Sequence, residues 1–253
     1  MSLTGKGFYI WQILNCDYGN PFAIASAARS ANLSHVIIKV ADRSSDYNLD
    51  MQTGQDLVPD VVEALHDLGI EAWGWQYIYG SNPMSEANRA IHRVKELGLD
   101  GFVVNAEKEY KEPGKDKAAK VYMQTLRRGI PNTPVALSTY RYPSYHPQFP
   151  YDEFLEYSDY NMPQVYWLRS HNPDYQLTKS VREFESRKFV RPIIPTGAAF
   201  GEHGWKPSLE EIHKFMKTAV SLGLPGVNFW SWDYARKYEP RYWKEVAKYD
   251  WED

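Results

Sequence analysis

Hydrophobic runs that suit β-strands recur along the chain at intervals of roughly thirty residues, with helical patterns between them. Some runs are continuously apolar, such as residues 36–38 and 102–104, which is typical of parallel strands covered by helices on their outer face. The pattern predicts eight strands, at residues 7–14, 35–41, 71–79, 101–107, 134–140, 160–167, 191–196 and 226–232. Eight strands that alternate with helices predict an α/β fold, a single (β/α)₈ TIM barrel.

The intervening helices carry recognisable start and stop signals. Ser208 and Glu211 have the spacing of a capping box, and apolar residues then recur with helical period up to Gly223. Two further helices are predicted to end near Gly69 and Gly98. A Leu-Gly pair therefore precedes the third, fourth and eighth predicted strands, and it marks the point where the chain leaves a helix for the next strand.

Length and composition limit the class of protein. The 253 residues match one such barrel, so we predict a single domain over residues 1–253. No apolar run could cross a bilayer, and the opening residues lack the pattern of a secretory signal, which leaves localisation open. Cys16 is the lone cysteine and no Cys/His cluster has zinc spacing, so no disulfide, metal or cofactor is predicted. A net charge of −3 argues against a nucleic-acid partner, and the oligomeric state is not readable.

The chain is rich in aromatic residues, with nine Trp and 19 Tyr, many of them near the predicted strand ends. Sugars stack on aromatic faces, although barrels also bury aromatic side chains in their cores. The C-terminal rim of the strands holds the active site of TIM barrels, and the Pro- and aromatic-rich loops at 142–147 and 198–205 are candidate substrate walls there. We predict a polysaccharide or oligosaccharide partner, contacted by Trp11, Gln12, Lys39, Trp75, Tyr140 and Trp232.

The most informative segment is the fourth predicted strand and the residues next to it, 99–107. Strand alternation places Val103, Asn105 and Glu107 on one side, pointing into the barrel, with Glu107 at the upper end. Aromatic surroundings would favour the protonated form of Glu107, which a general acid needs in order to donate a proton to a glycosidic oxygen near neutral pH. The alternative is a structural pairing of Glu107 with an interior lysine such as Lys39. We predict that Glu107 is the catalytic acid.

This segment resembles the fourth-strand signature of family 18 glycoside hydrolases, the chitinases and their relatives. The signature reads hydrophobic-Asp-Gly-hydrophobic-Asp-hydrophobic-Asp-x-Glu, and its final Glu is the acid. Asp100, Gly101, Phe102, Val104 and Glu107 fit it. The resemblance implies a glycosidase that acts on a polymer containing N-acetylhexosamines.

Two more segments resemble motifs of that family, in the order in which the family would place them. Gln164 and Tyr166 match its Gln-x-Tyr, whose tyrosine hydroxyl helps to hold the substrate acetamido group. Residues 226–232 resemble its Gly-Val-x-x-Trp, and Trp230 would then form the floor of the sugar site. The resemblance thus implies a catalytic role for Tyr166 and substrate contacts for Gln164 and Trp230.

The first half of the chain has a second resemblance. Residues 35–41 resemble the second strand of the family 25 lysozymes, which also carry an Asp-x-Glu on a barrel strand, and residues 105–107 would correspond to that pair. The Asp expected on the first strand of that family is missing from residues 8–12. Both families cleave N-acetylhexosamine polymers, so chitin-like and peptidoglycan-like substrates both stay open.

Position 105 departs from the family 18 pattern, because Asn105 and Val103 stand where carboxylates are expected. In substrate-assisted glycosidases the acetamido oxygen of the sugar attacks, and a neighbouring Asp orients and stabilises it. Asn105 can hydrogen-bond this group but supplies no charge. Three outcomes stay open: slow turnover, binding without cleavage, or a substitute carboxylate, for which Glu109, Asp42 and Asp233 are candidates.

Two further functions compete with the glycosidase hypothesis. Lys39 lies in an apolar strand, where burial could ready its amine for the Schiff-base chemistry of an aldolase-type lyase. No phosphate-binding loop accompanies it near the seventh and eighth strands, where such barrels usually bind phosphate. The other alternative is a catalytically degenerate barrel that keeps the aromatic sugar contacts, which Asn105 and Val103 favour.

Overall fold

Parallel strands surround a central axis in the computed structural model, which describes residues 3–251. The predicted α/β fold is confirmed as a (β/α)₈ barrel, with a curled parallel sheet inside and helices outside. Within the described residues the strands are β1 (Gly5–Ile10), β2 (His35–Asp42), β3 (Ser45–Asp46), β4 (Glu71–Ile78), β5 (Gly101–Ala106), β6 (Val135–Ser138), β7 (Tyr160–Asn161), β8 (Thr196–Ala198) and β9 (Gly226–Trp230). Only β3 lies outside the barrel, as a short antiparallel partner of β2.

The sheet closes into a barrel between β7 and β8. Around the sheet, β1 pairs with β2 on one side and with β9 on the other, so the first and last strands are neighbours. Between β7 and β8 the pairing consists of single bridges rather than a continuous ladder. The amide of Ile194 donates to the carbonyl oxygen of Asn161 at 2.9 Å, and the amide of Val165 donates to that of Thr196 at 2.8 Å.

Prolines explain why two strands are shorter than the hydrophobic pattern predicts. β7 and β8 span two and three residues, whereas residues 160–167 and 191–196 were expected to form strands. Pro163, Pro192 and Pro195 have no amide hydrogen to donate, so regular pairing cannot continue through them. The first strand is also shorter than predicted, because the chain forms a 3₁₀ turn at Ile13–Asn15.

The helices cover the outside of the barrel, and their predicted signals are confirmed. They are α1 (Pro21–Ser30), α2 (Val58–Asp67), α3 (Pro83–Leu97), α4 (Lys115–Gly129), α5 (Tyr151–Leu155), α6 (Pro173–Glu185), α7 (Leu209–Ser221) and α8 (Pro240–Lys248). Ser208 and Glu211 form the capping box at the start of α7. Gly69, Gly98 and Gly223 have positive φ angles, the left-handed conformation that glycine adopts freely after a helix. Over residues 3–251, no helix combines the length and the apolar character needed to span a membrane.

Large apolar side chains fill the barrel interior, which is therefore a packed core. The interior cluster consists of Leu3, Tyr9, Ile37, Trp73, Trp75, Val103, Ala136, Tyr160, Met162 and Ile194. Val103 belongs to it, so β5 directs its odd-numbered residues inward as predicted. Because the interior is filled, a ligand can approach only from the rim, where the side chains of Asn105 and Glu107 lie at the end of β5.

A buried histidine packs against the first strand. The ring of His35 lies so close to Gly7 that a Cβ at that position would be 2.2 Å from Nε2, and only glycine fits. Nε2 lies 2.6 Å from Oδ1 of Asn228, and Nδ1 lies 2.8 Å from Oγ of Ser34. Burial lowers the pKa of His35 to about 4, and the hydrogen bond with Asn228 opposes this shift.

We expect His35 to make the fold sensitive to acid. Its pKa is 6.5 in the unfolded chain and about 4 in the folded protein, so between these values the unfolded chain binds a proton that the folded protein excludes. The free energy of unfolding should therefore fall as the pH falls through this window, by about 2–3 kcal/mol between neutrality and pH ~4.5. Urea denaturation at the two pH values measures the loss.

Two variants separate His35 from the other titrating groups. His35→Gln should be less stable than the wild type at neutral pH but should lack this part of the pH dependence. His203→Gln replaces a histidine whose side chain is 75% exposed and lies 3.9 Å from its nearest carboxylate, so it should keep the wild-type slope. An unchanged slope in His35→Gln would contradict the assignment.

A buried lysine joins the two ends of the described chain. Lys6 on β1 is 1% exposed, and its Nζ donates to the carbonyl oxygens of Val246 at 2.9 Å, Ala247 at 3.3 Å and Tyr249 at 2.5 Å. These carbonyls belong to the end of α8, where a helix leaves its last carbonyl groups without partners. Burial lowers the pKa of Lys6 to about 8, and the charge of Asp250 opposes the shift.

Candidate functional site

A glutamine joins the polar side chains at the C-terminal end of the barrel. Nε2 of Gln164 lies 3.1 Å from Oδ1 of Asn105, 3.1 Å from Oε1 of Glu107 and 3.4 Å from Oγ of Ser138. These residues follow or end β5, β6 and β7, and strand alternation turns them toward the barrel axis. The structure thus brings together the predicted residues Asn105, Glu107 and Gln164, and it adds Ser138, which the sequence did not single out.

Glu107 stands among tyrosines. It is half-buried just beyond β5, at the point where the chain turns into a 3₁₀ segment at Lys108–Lys111. Burial raises the pKa of Tyr140 to about 12, and the negative charge of Glu107 adds to the shift. Burial, followed by the charge of Glu107, also raises the pKa of Tyr77, while the pKa of Tyr166 is raised by burial, by Tyr9 and by Glu107. All these hydroxyls stay protonated and can donate hydrogen bonds at the site.

Of the three predicted second carboxylates, Glu109 is the one that forms a hydrogen bond with a tyrosine of this site. The hydroxyl of Tyr77 donates to Oε2 of Glu109 at 2.8 Å. The other two candidates have partners of their own: Asp42 accepts from Nζ of Lys39 at 2.6 Å, and Asp233 accepts from the hydroxyl of Ser231 at 2.5 Å. Tyr77 was missed in the sequence, although it lies two residues beyond Trp75 on the same face of β4.

The surroundings of Lys39 do not suit Schiff-base chemistry. Its ammonium group forms a salt bridge with Asp42 and lies 4.1 Å from the ring centroid of Tyr47 and 4.9 Å from that of Trp75. A carboxylate and two aromatic faces all stabilise the charged ammonium, whereas a nucleophilic lysine must be neutral. The alternative of a structural pairing between Glu107 and Lys39 is not observed, because Lys39 pairs with Asp42 and Glu107 accepts a hydrogen bond from Gln164.

Trp11 and Trp230 form an aromatic platform at the same end of the barrel as the polar group, while Trp75 is 3% exposed in the barrel interior, which corrects the prediction that it contacts substrate. The ring of Trp230 at the end of β9 lies 5.7 Å from that of Trp75, 5.9 Å from that of Tyr9 and 6.3 Å from that of Trp11, measured between centroids. Trp11 is 45% exposed and Trp230 is half-buried, so this platform has a face open to solvent. Gln12 is exposed, but its Oε1 accepts from Asn15 in the next turn, and no contact brings it to the described part of the site.

Trp232 does not belong to the platform, which corrects the prediction that it contacts substrate. Its side chain is fully buried, with ring centroids 4.5 Å from Trp243 and 6.3 Å from Phe8, and its Nε1 donates to Asp17 at 2.9 Å. The predicted strand 226–232 ends at Trp230, and a helical turn begins at Trp232. The ring therefore packs between the sheet and α8 and has no face for a sugar.

A cavity of about 220 Å³ opens next to Gln164. The predicted substrate wall 142–147 forms part of it, and the ring of His146 lies 3.8 Å from that of Tyr140 between centroids. The second predicted wall, 198–205, places Phe200 with its ring centroid 5.1 Å from that of Tyr166. The lining residues are Tyr140, Arg141, Tyr142, Tyr145, His146, Gln164, Tyr166 and Leu168.

Comparison with known proteins identifies structural but not sequence relatives. No protein-family model and no curated protein matches the chain. A chitinase from Bacteroides thetaiotaomicron shares 14% sequence identity, with a TM-score of 0.73 over 98% of this chain and 96% of its own. A GH18 chitinase mutant from Cycas revoluta in complex with (GlcNAc)₄ shares 10% identity, with a TM-score of 0.69 over 96% and 98%.

The same fold also occurs in a glycosidase of another family. A GH2 β-galacturonidase from Eisenbergiella tayi shares 12% identity, with a TM-score of 0.66 over 97% of this chain and 50% of its own. At these identities the similarities show the fold, a barrel of the kind found in chitinases and other glycoside hydrolases. The resemblance of residues 35–41 to family 25 lysozymes finds no support among these structures.

Proposed function

We propose that this protein is a glycoside hydrolase that cleaves a polysaccharide containing N-acetylhexosamines, with Glu107 as the general acid. The observation that carries the proposal is the half-buried Glu107 at the end of β5, held by Gln164 beside Asn105. The platform of Trp11 and Trp230 offers a partly exposed surface at the same end of the barrel, on which a sugar ring can stack. The structural neighbours include a chitinase in complex with (GlcNAc)₄, which agrees with such a ligand.

The reaction would begin with protonation of the leaving group. Glu107 gives its proton to the glycosidic oxygen as the bond from that oxygen to C1 breaks. The acetamido oxygen of the sugar that carries C1 forms a bond to C1. This closes a five-membered ring, over which the positive charge spreads. Water then attacks C1, Glu107 takes up a proton from the water, and the bond to the acetamido oxygen breaks. Tyr166, whose hydroxyl stays protonated, can donate to the acetamido group.

Asn105 determines how well this reaction proceeds. Its amide can orient the acetamido group, but it cannot neutralise the positive charge that develops beside it. Glu109 supplies the substitute carboxylate in our proposal, because Tyr77 holds it toward the site while Asp42 and Asp233 are engaged elsewhere. Within this scheme turnover is slower than with a carboxylate at position 105, since the residue that Gln164 holds beside Glu107 carries no charge.

Wild-type protein incubated with N-acetylglucosamine oligomers, and with glycan chains from peptidoglycan, is expected to release new reducing ends. Reducing-end assays and mass spectrometry of the products measure this directly. Calorimetric titration with the same ligands accompanies the assay. Binding without any new reducing end would remove the hydrolase proposal and favour the degenerate carbohydrate-binding barrel, which Asn105 makes the second candidate.

A further inference from the structure

Two cations lie at the cavity next to Gln164 without a carboxylate partner. Arg141 lines the cavity, and its Nη1 donates to the backbone carbonyl oxygen of Tyr166. Nζ of Lys111 lies 4.1 Å from the ring centroid of Tyr140, another lining residue. Over residues 3–251, neither Arg141 nor Lys111 has a carboxylate oxygen within 4.0 Å, the distance that defines a salt bridge.

The third cation near this cavity is already neutralised. Nζ of Lys179 lies 3.8 Å from Oε1 of Glu183, and the same carboxylate accepts from the amide and the hydroxyl of Ser144. Lys179 also lies 4.3 Å from the ring centroid of Tyr145. The free positive charge at the cavity therefore comes from Arg141 and Lys111.

The cavity borders both the carboxyl group and the cations. Gln164, which donates a hydrogen bond to Glu107, lines the cavity together with Arg141 and His146. The pKa of His146 is lowered by burial and, in addition, by the charges of Lys111 and Arg141. The positive charges of Lys111 and Arg141 therefore reach His146 in the cavity wall. His146 itself stays neutral and adds no charge.

We propose that this cavity binds a carboxylate-bearing sugar unit next to the bond that Glu107 cleaves, so that the natural ligand is an acidic glycan rather than a neutral one. This inference rests on the proposed function, because the role of Glu107 defines which bond the acidic sugar unit lies next to. The guanidinium of Arg141 forms charge-assisted hydrogen bonds with the carboxylate, and Lys111 adds a second positive charge. Tyr145, which lines the cavity and is 61% exposed, offers an aromatic face to the sugar ring itself.

A neutral sugar would leave these cations unpaired in the complex. Covering Arg141 with a ligand removes water from its guanidinium, and only an anionic group repays that loss fully. Two sources of carboxylate fit the same chemistry: a uronic acid, in which it replaces the hydroxymethyl group, and an ether-linked lactyl group on an N-acetylhexosamine. Both occur in polymers that also contain N-acetylglucosamine, so one experiment can include both.

Binding of three tetrasaccharides to Glu107→Gln, which is expected to bind ligand without cleaving it, tests the inference. The first is the neutral N-acetylglucosamine tetramer. In the second, N-acetylglucosamine alternates with lactyl-bearing N-acetylmuramic acid, and in the third it alternates with glucuronic acid. At low salt one of the acidic ligands should bind about tenfold more tightly than the neutral one. The advantage should shrink as salt screens the charges. Which acidic tetramer gains identifies the source of the carboxylate.

Variants of the cations assign the preference to the cavity. Adding Arg141→Gln should lower the ratio of acidic to neutral affinity to near one, and adding Lys111→Gln should lower it in part. Lys217→Gln removes an exposed charge on α7 and should keep the full ratio. Equal or tighter binding of the neutral tetramer would overturn the inference while leaving hydrolysis intact. An acidic preference without turnover by the wild type would instead remove the proposed hydrolysis and keep this binding site.

Discussion

Glu107→Gln is expected to lower the rate of reducing-end release by about 100- to 10,000-fold, the range that one general acid contributes. The variant keeps the hydrogen-bonding capacity of the side chain toward Gln164 but has no proton to give to the leaving oxygen. Oligosaccharide affinity should be retained, because the platform at Trp230 is untouched. Initial rates on N-acetylglucosamine oligomers, with calorimetric titration of the same ligands, separate the two effects.

Glu112→Gln is the matched control for this loss. Glu112 lies five residues farther along the same connection, its side chain is 67% exposed, and its nearest cation, Lys115, is 3.9 Å away. Its replacement should leave both rate and affinity at wild-type values. If Glu107→Gln cleaved as fast as the wild type, Glu107 would have no part in the mechanism, and Glu109 would be the next carboxyl group to examine.

Substitutions of two tryptophans close together in the sequence are expected to have opposite effects, one on stability and the other on oligosaccharide binding. Trp232→Ala should lower the free energy of unfolding by about 3–5 kcal/mol, the usual cost of removing a large buried aromatic ring. Trp230→Ala should cost much less stability, because its ring is half-buried, but should weaken oligosaccharide binding about tenfold or more. Urea denaturation and calorimetric titration of both proteins measure the contrast.

A milder variant covers the case in which Trp232→Ala does not fold. Trp232→Phe keeps most of the ring packing against Trp243 and loses the hydrogen bond from Nε1 to Asp17, so it should fold with a smaller loss of stability. Its oligosaccharide affinity should equal that of the wild type. A drop in affinity for Trp232→Phe, with stability unchanged, would return Trp232 to the binding site.

The barrel was predictable because its signals are local. Apolar runs, a capping box at Ser208 and glycines after helices each depend on residues near one another in the chain. Strand alternation also places Asn105 and Glu107 correctly, since their neighbour Val103 lies in the barrel interior. The lengths of β7 and β8 were overestimated because apolar character continues through prolines that cannot pair.

The composition of the site was harder to predict, because it depends on where strands end and on which partners meet across the barrel. Trp232 was assigned to the substrate because an uninterrupted strand would keep it on the same face as Trp230, and the sequence does not show that the strand ends between them. Arg141 carries no motif, and its proposed role depends on the absence of a carboxylate partner among residues 3–251, which is a property of the folded chain. Lys39 was considered as a nucleophile without knowledge of its contact with Asp42.

The contacts of Lys6 bear on how the chain is made. Its ammonium group reaches carbonyls about 240 residues later in the chain, and β1 pairs along one edge with β9. During synthesis from the N-terminus, the edge of β1 that pairs with β9 therefore stays unpaired, and the ammonium group of Lys6 stays without its carbonyl partners, until β9 and α8 emerge. Such an edge can pair with other chains in the meantime, so completing this barrel depends on protecting its first strand for nearly the whole time in which the barrel itself is translated.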